Sequence, residues 1–423
     1  MRRVVVLPQM QEAKSRRLTG LLSQATALGA LTSDGWLLFV TRVTRLFAYG
    51  ALSVVLVFYL AGVGLTPSQI GMLLTLTLAG DTAVSLWLTT RADRIGRRRT
   101  LVIGAALMAA AGVAFAATHN LALLIVAGTI GVISPSGGEV GPFLPIEQAA
   151  LSQVVPDHTR TAVFAWYALV GSFASAIGAL GGGLLSHTLD SYRVVVWLYA
   201  VLGVLLAVLF TRVSSQVEVS SSAATSPWGI GRSRKVVFRL SALFALDSFA
   251  GGFVVQSFAA YWFYLRFGVN PATLGAIFFG ANLLAGASAL LASRLAARFG
   301  LVRTMVFTHL PSNILLILVP LMPTLPLAVL VLFARFSISQ MDVPTRQSYI
   351  MAVVGPEERS AAAGITGVAR TTGAAIAPVF AGLLFAQPSL ISVPFFIAGT
   401  LKVVYDVLLY RGFVAVRPPE EAG

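Results

Sequence analysis

The sequence predicts an all-α membrane protein with twelve transmembrane helices in two pseudo-symmetric six-helix bundles. Three observations predict it: an apolar composition, a succession of runs long enough to cross a bilayer, and a second half that repeats the first. The 423 residues are 57% hydrophobic and 11% charged, with a mean hydropathy of +0.84. Soluble domains carry about 25% charged residues, so this chain lacks the polar side chains to cover a water-facing surface.

A helix needs about 20 apolar residues to cross the hydrocarbon layer. Such runs are expected at 36–62, 67–90, 99–118, 121–149, 160–187, 192–212, 237–265, 271–293, 302–320, 325–347, 360–386 and 389–411, spans 1 to 12 in order. Turn residues separate several of them. Gly64-Leu65-Thr66-Pro67 follows span 1, Val269-Asn270-Pro271 follows span 7, Pro323-Thr324-Leu325-Pro326 follows span 9 and Gln387-Pro388-Ser389 follows span 11. Span 4 holds SPSGGEVGPFLP, whose glycines and prolines predict a broken or kinked helix. Broken helices turn backbone dipoles toward a cavity.

The most polar internal stretch lies between spans 6 and 7. It divides the chain into an N-terminal extension (1–35), a first bundle (36–212), a flexible linker (213–236), a second bundle (237–412) and a tail (413–423). The extension lacks the compact apolar core and cleavage site of a secretory signal. Its Leu18, Leu21, Leu22, Ala25, Leu28 and Leu31 recur at helical spacing, which suits an interfacial helix. A disordered tail fits the same residues.

Basic residues orient the spans. RADRIGRRRT, between spans 2 and 3, holds five arginines in ten residues. With the N-terminus inside, this loop and almost every other basic loop residue face the cytoplasm, and only Arg193 and Arg266 lie outside. Both termini are therefore expected in the cytoplasm of a cell-membrane protein, the bacterial inner or plasma membrane. The same dispersal over all inner loops argues against a nucleic-acid partner, which a pI near 10.8 would otherwise suggest. There are no cysteines, and none of the four histidines pairs with another at metal-ligand spacing. No Walker loop or nucleophile elbow appears. Neither an enzyme nor a cofactor or metal site is expected.

The halves repeat. A shift of 204 carries Gly64, Pro67, Gly71, Arg94, Gly96, Arg99 and Thr100 onto Gly268, Pro271, Gly275, Arg298, Gly300, Arg303 and Thr304. A shift of 199 carries Pro145, Gln148, Arg160 and Gly183 onto Pro344, Gln347, Arg359 and Gly382. A parallel repeat implies a pseudo-two-fold axis along the membrane normal, with a path between the halves.

With these residues the chain resembles transporters of the major facilitator superfamily from about residue 36 onward. Ala92, Asp93, Arg94, Gly96 and Arg97 match that family's loop motif between spans 2 and 3 and Arg98 keeps its final basic position, while Thr89 and Arg91 depart from it. The second copy keeps Arg298 and Gly300 but has Ala297 in place of the acid. The resemblance implies a gating role for Asp93, Arg94, Gly96, Arg97 and Arg98, with Asp93 capping the start of span 11 and latching the inner face. GALGGG, Gly178 to Gly183, partly resembles a span 5 motif of drug–proton antiporters, with Ala179 for its proline. Close helix packing explains the same small residues.

Ionisable residues inside spans are costly and mark function. Asp247, Asn282, Arg335 and Arg370 lie about 14–16 Å from their span ends, near the midplane. These four are the candidate substrate-binding residues, the arginines for an anion. Asp247, Glu139 and Asp81 are candidates for proton coupling. Arg45 and Asp81, each about 12 Å from the inner end, are expected to form an ion pair, and Glu139 to meet Arg42 or Arg45. Lys402 and Asp406 are expected to pair locally at i, i+4.

The expected function is alternating-access transport of a small organic solute by a monomer in the bilayer, with a proton gradient as driving force. Proton-coupled efflux leads. Uptake of an organic anion by symport is the alternative, and a transporter-like receptor or scaffold is another.

Overall fold

The computed structural model describes residues 29, 31–155, 160–218, 233–355 and 358–415. The expected interfacial helix falls almost entirely outside them. Among the described residues the chain is helical throughout, with no strand. Span 1 is Ser33–Gly62, span 2 Pro67–Ile95, span 3 Arg97–Ala117, span 5 Arg160–Thr188 and span 6 Tyr192–Thr211. Span 8 is Pro271–Phe299, span 9 Leu301–Leu318, span 11 Arg359–Phe385 and span 12 Val393–Phe413. Spans 4, 7 and 10 are each two helices: Leu121–Ile130 and Phe143–Val154, Arg234–Gly252 and Gln256–Phe267, Leu325–Ser339 and Asp342–Val353. The ends that carry the arginine-rich loops are called the basic end below.

The repeat is visible in the caps. Thr66 and Gln69 form a reciprocal capping box at the start of span 2, and Asn270 Oδ1 accepts from Thr273 N–H at the start of span 8. Both helices run for 29 residues and end at glycines with positive φ, Gly96 at 100° and Gly300 at 85°. A side chain there would be strained.

The break in span 4 was expected from its glycines and prolines; those in spans 7 and 10 were not. In span 7, the backbone of Gly252 lies so close to span 11 that a Cβ would meet the Ala374 carbonyl. Beyond the break, the Ser257 N–H is taken by the Pro135 carbonyl of the first half, at 3.1 Å. In span 10, Pro344 has no N–H for the Gln340 carbonyl and its ring excludes that carbonyl from a continuous helix. At the same break the Gln340 N–H donates to Ser288 Oγ at 3.3 Å.

Glycines set the helix contacts. A Cβ on Gly178 would land on the Phe47 carbonyl, and one on Gly182 on the Ala51 carbonyl, so the GALGGG stretch is where span 5 seats on span 1. Between the halves, Gly183 meets Gly275 (spans 5 and 8) and Gly71 meets Gly382 (spans 2 and 11). Both contacts lie far from the basic end. There too Ser257 Oγ donates to the carbonyl of Ser53, and Phe58 meets the edges of Tyr261 and Tyr264. At the basic end, among the described residues, no hydrogen bond or ring contact joins the halves, and Gly364 and Gly367 of span 11 face open space.

The linker was expected to be flexible, yet its first residues are ordered by hydrogen bonds. Ser215–Val217 forms a 3-10 turn with Val217 fully buried, and Ser214 N–H donates to Asp34 at 3.0 Å. Glu218 then accepts from the N–H groups of Arg97 (2.7 Å) and Arg98 (3.1 Å), capping span 3. A carboxylate at a helix N-terminus satisfies orphan donors and complements the helix dipole.

Candidate substrate-binding site

A cavity of about 570 Å³ lies between the halves. Asp247, Asn282, Arg335 and Arg370 line it, so the structure brings the four predicted midplane residues to one space, with Glu139 at its wall. Gln256, beside the break in span 7, holds Asn282 by a 3.3 Å hydrogen bond and donates to Ser53 Oγ at 2.8 Å. Phe278, Leu332, Phe336 and Phe395 supply apolar wall.

In the first half Arg42 and Arg45 are balanced by Glu139 and Glu147. Arg45, fully buried, donates to both carboxylate oxygens of Glu147 at 2.6 and 2.7 Å and reaches Glu139 at 3.3 Å. Glu147, also fully buried, accepts from Thr41 (3.1 Å) and Tyr167 (2.6 Å) as well. Arg42 pairs with Glu139, as expected from the sequence. Two cations thus face two anions.

The expected Arg45–Asp81 pair is not formed. The broken span 4 delivers a second acid, Glu147, to Arg45. The same break frees the N–H of Gly141, and Asp81 accepts that hydrogen bond at 2.7 Å. Among the described residues Asp81 has no cationic partner. Glu147 stands near the inner end of the predicted span 4, away from the midplane, and nothing in its sequence position singles it out.

The second half carries the same construction with its signs exchanged. A shift of 202 carries Gly50 onto Gly252 and Arg45 onto Asp247, and the shift of 199 carries Glu147 onto Arg346. Arg346 Nη1 lies 3.3 Å from Asp247 and 3.2 Å from Asp342. Lys402 donates to Asp247 at 2.6 Å, which displaces the expected Lys402–Asp406 pair. Asp406 is taken instead by His309 Nδ1 (2.9 Å) and Asn313 (2.8 Å) of span 9. Packing decides this, because span 12 turns both residues toward spans 7 and 9. Arg346 stands near the inner end of span 10, far in sequence from Asp247, and His309 and Asp406 are 97 residues apart.

Arg335 and Arg370 have no such partners. Among the described residues neither has an ion pair, and the Nε of each is buried without a hydrogen bond. Arg335 lies over the ring of Phe336, 4.9 Å from its centre. Asp247, Asp342 and Asp406 against Arg346, Lys402, Arg335 and Arg370 leave the second half one positive charge in excess before His309 is counted. Asp247, His309 and Asp342 place ligand atoms within 4.8 Å of one another. Lys402 and Arg346 already hold those carboxylates, so the donor set does not suit a metal ion.

Of the predicted gating residues, Arg97 is buried against the linker, its Nη1 donating to the Val217 carbonyl at 3.3 Å, while Arg94 and Arg98 are exposed. The side chain of Asp93 lies outside the described residues, and the proposed cap on span 11 with it.

The sequence profile described as Major Facilitator Superfamily matches residues 38–265 and again 246–423. The chain belongs to the major facilitator superfamily. It is 31% identical to the uncharacterized membrane protein YJR124C of Saccharomyces cerevisiae over 421 residues, 90% of this chain and 94% of that protein. It is 26% identical to the quinolone resistance protein NorA of Staphylococcus aureus over 36% of this chain and 37% of NorA. Among solved structures, the nucleoside transporter NupG superposes with a TM-score of 0.72 at 15% identity, covering 90% of this chain and 99% of that one. A bacterial homologue of the lysosomal transporter Spinster, inward-facing and occupied, gives 0.71 at 14% identity, covering 90% and 97%. These likenesses establish the fold and a multi-pass membrane transporter.

Proposed function

We propose that this transporter carries a small organic anion by alternating access, as a monomer. The observation that carries the reading is the pair Arg335 and Arg370, two guanidinium groups in the central cavity without an acidic partner among the described residues. Guanidinium stays charged, and buried cations call for an anion. Phe278, Leu332, Phe336 and Phe395 beside them suit an organic body, and Asn282 and Gln256 offer it amide contacts. The basic end, by the positive-inside rule, is cytoplasmic. On that orientation the structure is the inward-open state, with the outer side sealed at Ser53, Phe58 and Ser257. A proton gradient is the driving force we favour. Asp247 and Glu139 are each held by two cations, which leaves both poorly placed to exchange a proton.

The test is thermal protection of the purified protein by benzoate, lactate and glutarate against their uncharged amides, followed by counterflow in proteoliposomes. Carboxylates should protect the wild type and their amides should not. Arg335→Gln and Arg370→Gln should each weaken carboxylate binding at least tenfold, the loss of about 1.4 kcal/mol of charge-assisted hydrogen bonding. Equal protection by amides, or full-rate carboxylate counterflow in either variant, would refute the reading. Binding without any counterflow would favour a receptor. The stretch of similarity to NorA supports a second reading, efflux of an amphipathic compound. Raised quinolone resistance in cells expressing the chain, with no carboxylate binding, would favour it.

A further inference from the structure

We propose that His309 is the proton carrier of this transporter, with Asp406 holding one face of its ring and Asp247 facing the other. The inference rests on the anion-transport reading. His309 lies on span 9 and lines the cavity. Its Nδ1 lies 2.9 Å from Asp406 and its Nε2 3.8 Å from Asp247. Asn313 Nδ2 also lies 3.0 Å from Nδ1 but gives its hydrogen to Asp406 at 2.8 Å, so an Nδ1–H donated to Asp406 leaves Nε2 as the basic nitrogen, turned toward Asp247 and the cavity. Asn313 holds the second oxygen of Asp406 at 2.8 Å, so that carboxylate is fixed on the ring. Three neighbouring spans contribute charged or titratable groups here. Span 7 brings Asp247, span 10 brings Arg335, Asp342 and Arg346, and span 12 brings Lys402, Asp406 and Tyr405, whose ring meets the imidazole edge-on at 5.8 Å.

A proton on Nε2 changes the balance that the substrate meets. Asp247 Oδ1 is shared between Lys402 and His309. When the ring is neutral, Lys402 and Arg346 serve Asp247, and the second half carries one excess positive charge. When it is protonated, the imidazolium competes with Lys402 for the same oxygen, and the excess becomes two. Proton and anion therefore reinforce each other's binding, and by linkage each raises the other's affinity by the same factor. Because both reside in one cavity, they are loaded on one side and released on the other together. Asp247 acts as the counter-ion that passes between Lys402 and His309. The sequence-based candidates for the proton, Asp247, Glu139 and Asp81, are on this inference a counter-ion, half of an ion pair and a helix-break cap.

The four histidines make this testable without the substrate. In full-length protein labelled at histidine ¹³Cε1, the signal missing from His309→Gln should titrate between pH 4 and 9. Asp406→Asn should lower its midpoint by at least one pH unit. A His309 signal that does not titrate in that window, or that Asp406→Asn leaves in place, would overturn the proposal. With benzoate as probe, wild-type affinity should fall as pH rises through that midpoint and level off once the ring is neutral, and His309→Gln should bind with a pH-independent affinity. An unchanged pH dependence in His309→Gln would also overturn it. If benzoate binds neither protein, the anion reading fails for that probe, and the titration still decides whether His309 carries a proton.

Discussion

Replacing Glu147 by Gln isolates the buried network of the first half. Arg45 has no exposed surface and gives two of its bonds, at 2.6 and 2.7 Å, to Glu147. Gln keeps the volume and one acceptor for Tyr167 or Thr41, but removes the countercharge. Arg45 is then left sharing Glu139 with Arg42. Breaking one side of a buried pair costs about 3–5 kcal/mol. At about 2.1 cal/mol/K per residue, unfolding 423 residues corresponds to about 0.9 kcal/mol/K. The expected fall in Tm is therefore about 3–6 °C, readable from the fluorescence of the six tryptophans during heating in detergent. The double variant Arg45→Gln/Glu147→Gln should recover more than half of the loss, because no uncompensated charge remains. A single variant that melts with the wild type, or a double variant that is as unstable as the sum of both singles, would refute the account.

Three further outcomes follow from the same geometry. Asp81→Asn should be nearly neutral for stability, since its amide oxygen can still accept from Gly141, whereas Asp81→Leu should cost about 1–3 kcal/mol by leaving that N–H unpaired; equal melting of the two would contradict the capping role. Glu218→Ala should cost about 1 kcal/mol and speed proteolytic cleavage of the linker, with unchanged cleavage counting against the docked turn. Gly182→Val should abolish monodisperse protein in size-exclusion chromatography, because its side chain meets the carbonyl of Ala51; a normal profile would mean that spans 1 and 5 pack elsewhere.

The spans and the duplication were legible because both leave one-dimensional traces: apolar runs separated by Gly and Pro, and Pro, Gln and Arg recurring in register. The break in span 4 was legible for the same reason. Depth along a helix was legible from rise per residue, and it brought Asp247, Asn282, Arg335 and Arg370 to one cavity. What could not be read was azimuth, the direction a residue faces around its helix. Arg45 and Asp81 share a depth but not a facing, and Lys402 turned from Asp406 to Asp247. His309 and Asp406 lie 97 residues apart and meet only through packing. One signal was present and unused: a shift of 199 carries Glu147 onto Arg346 and a shift of 202 carries Arg45 onto Asp247, so a buried pair in one half pointed to a buried pair in the other.

The glycine contacts between the halves have a mechanical consequence. Gly275 lies four residues from the start of a 29-residue helix, which is about 43 Å long. Gly183 and Gly71 touch their partners at the corresponding far end. Bare backbone against bare backbone makes a bearing without side chains to interlock, placed near one tip of a long lever. A tilt of about 10° there sweeps the opposite tip through about 6 Å, given a rise of about 1.5 Å per residue, wide enough for a small solute to pass. Two such bearings, related by the pseudo-two-fold axis, leave the halves one easy motion and resist the others.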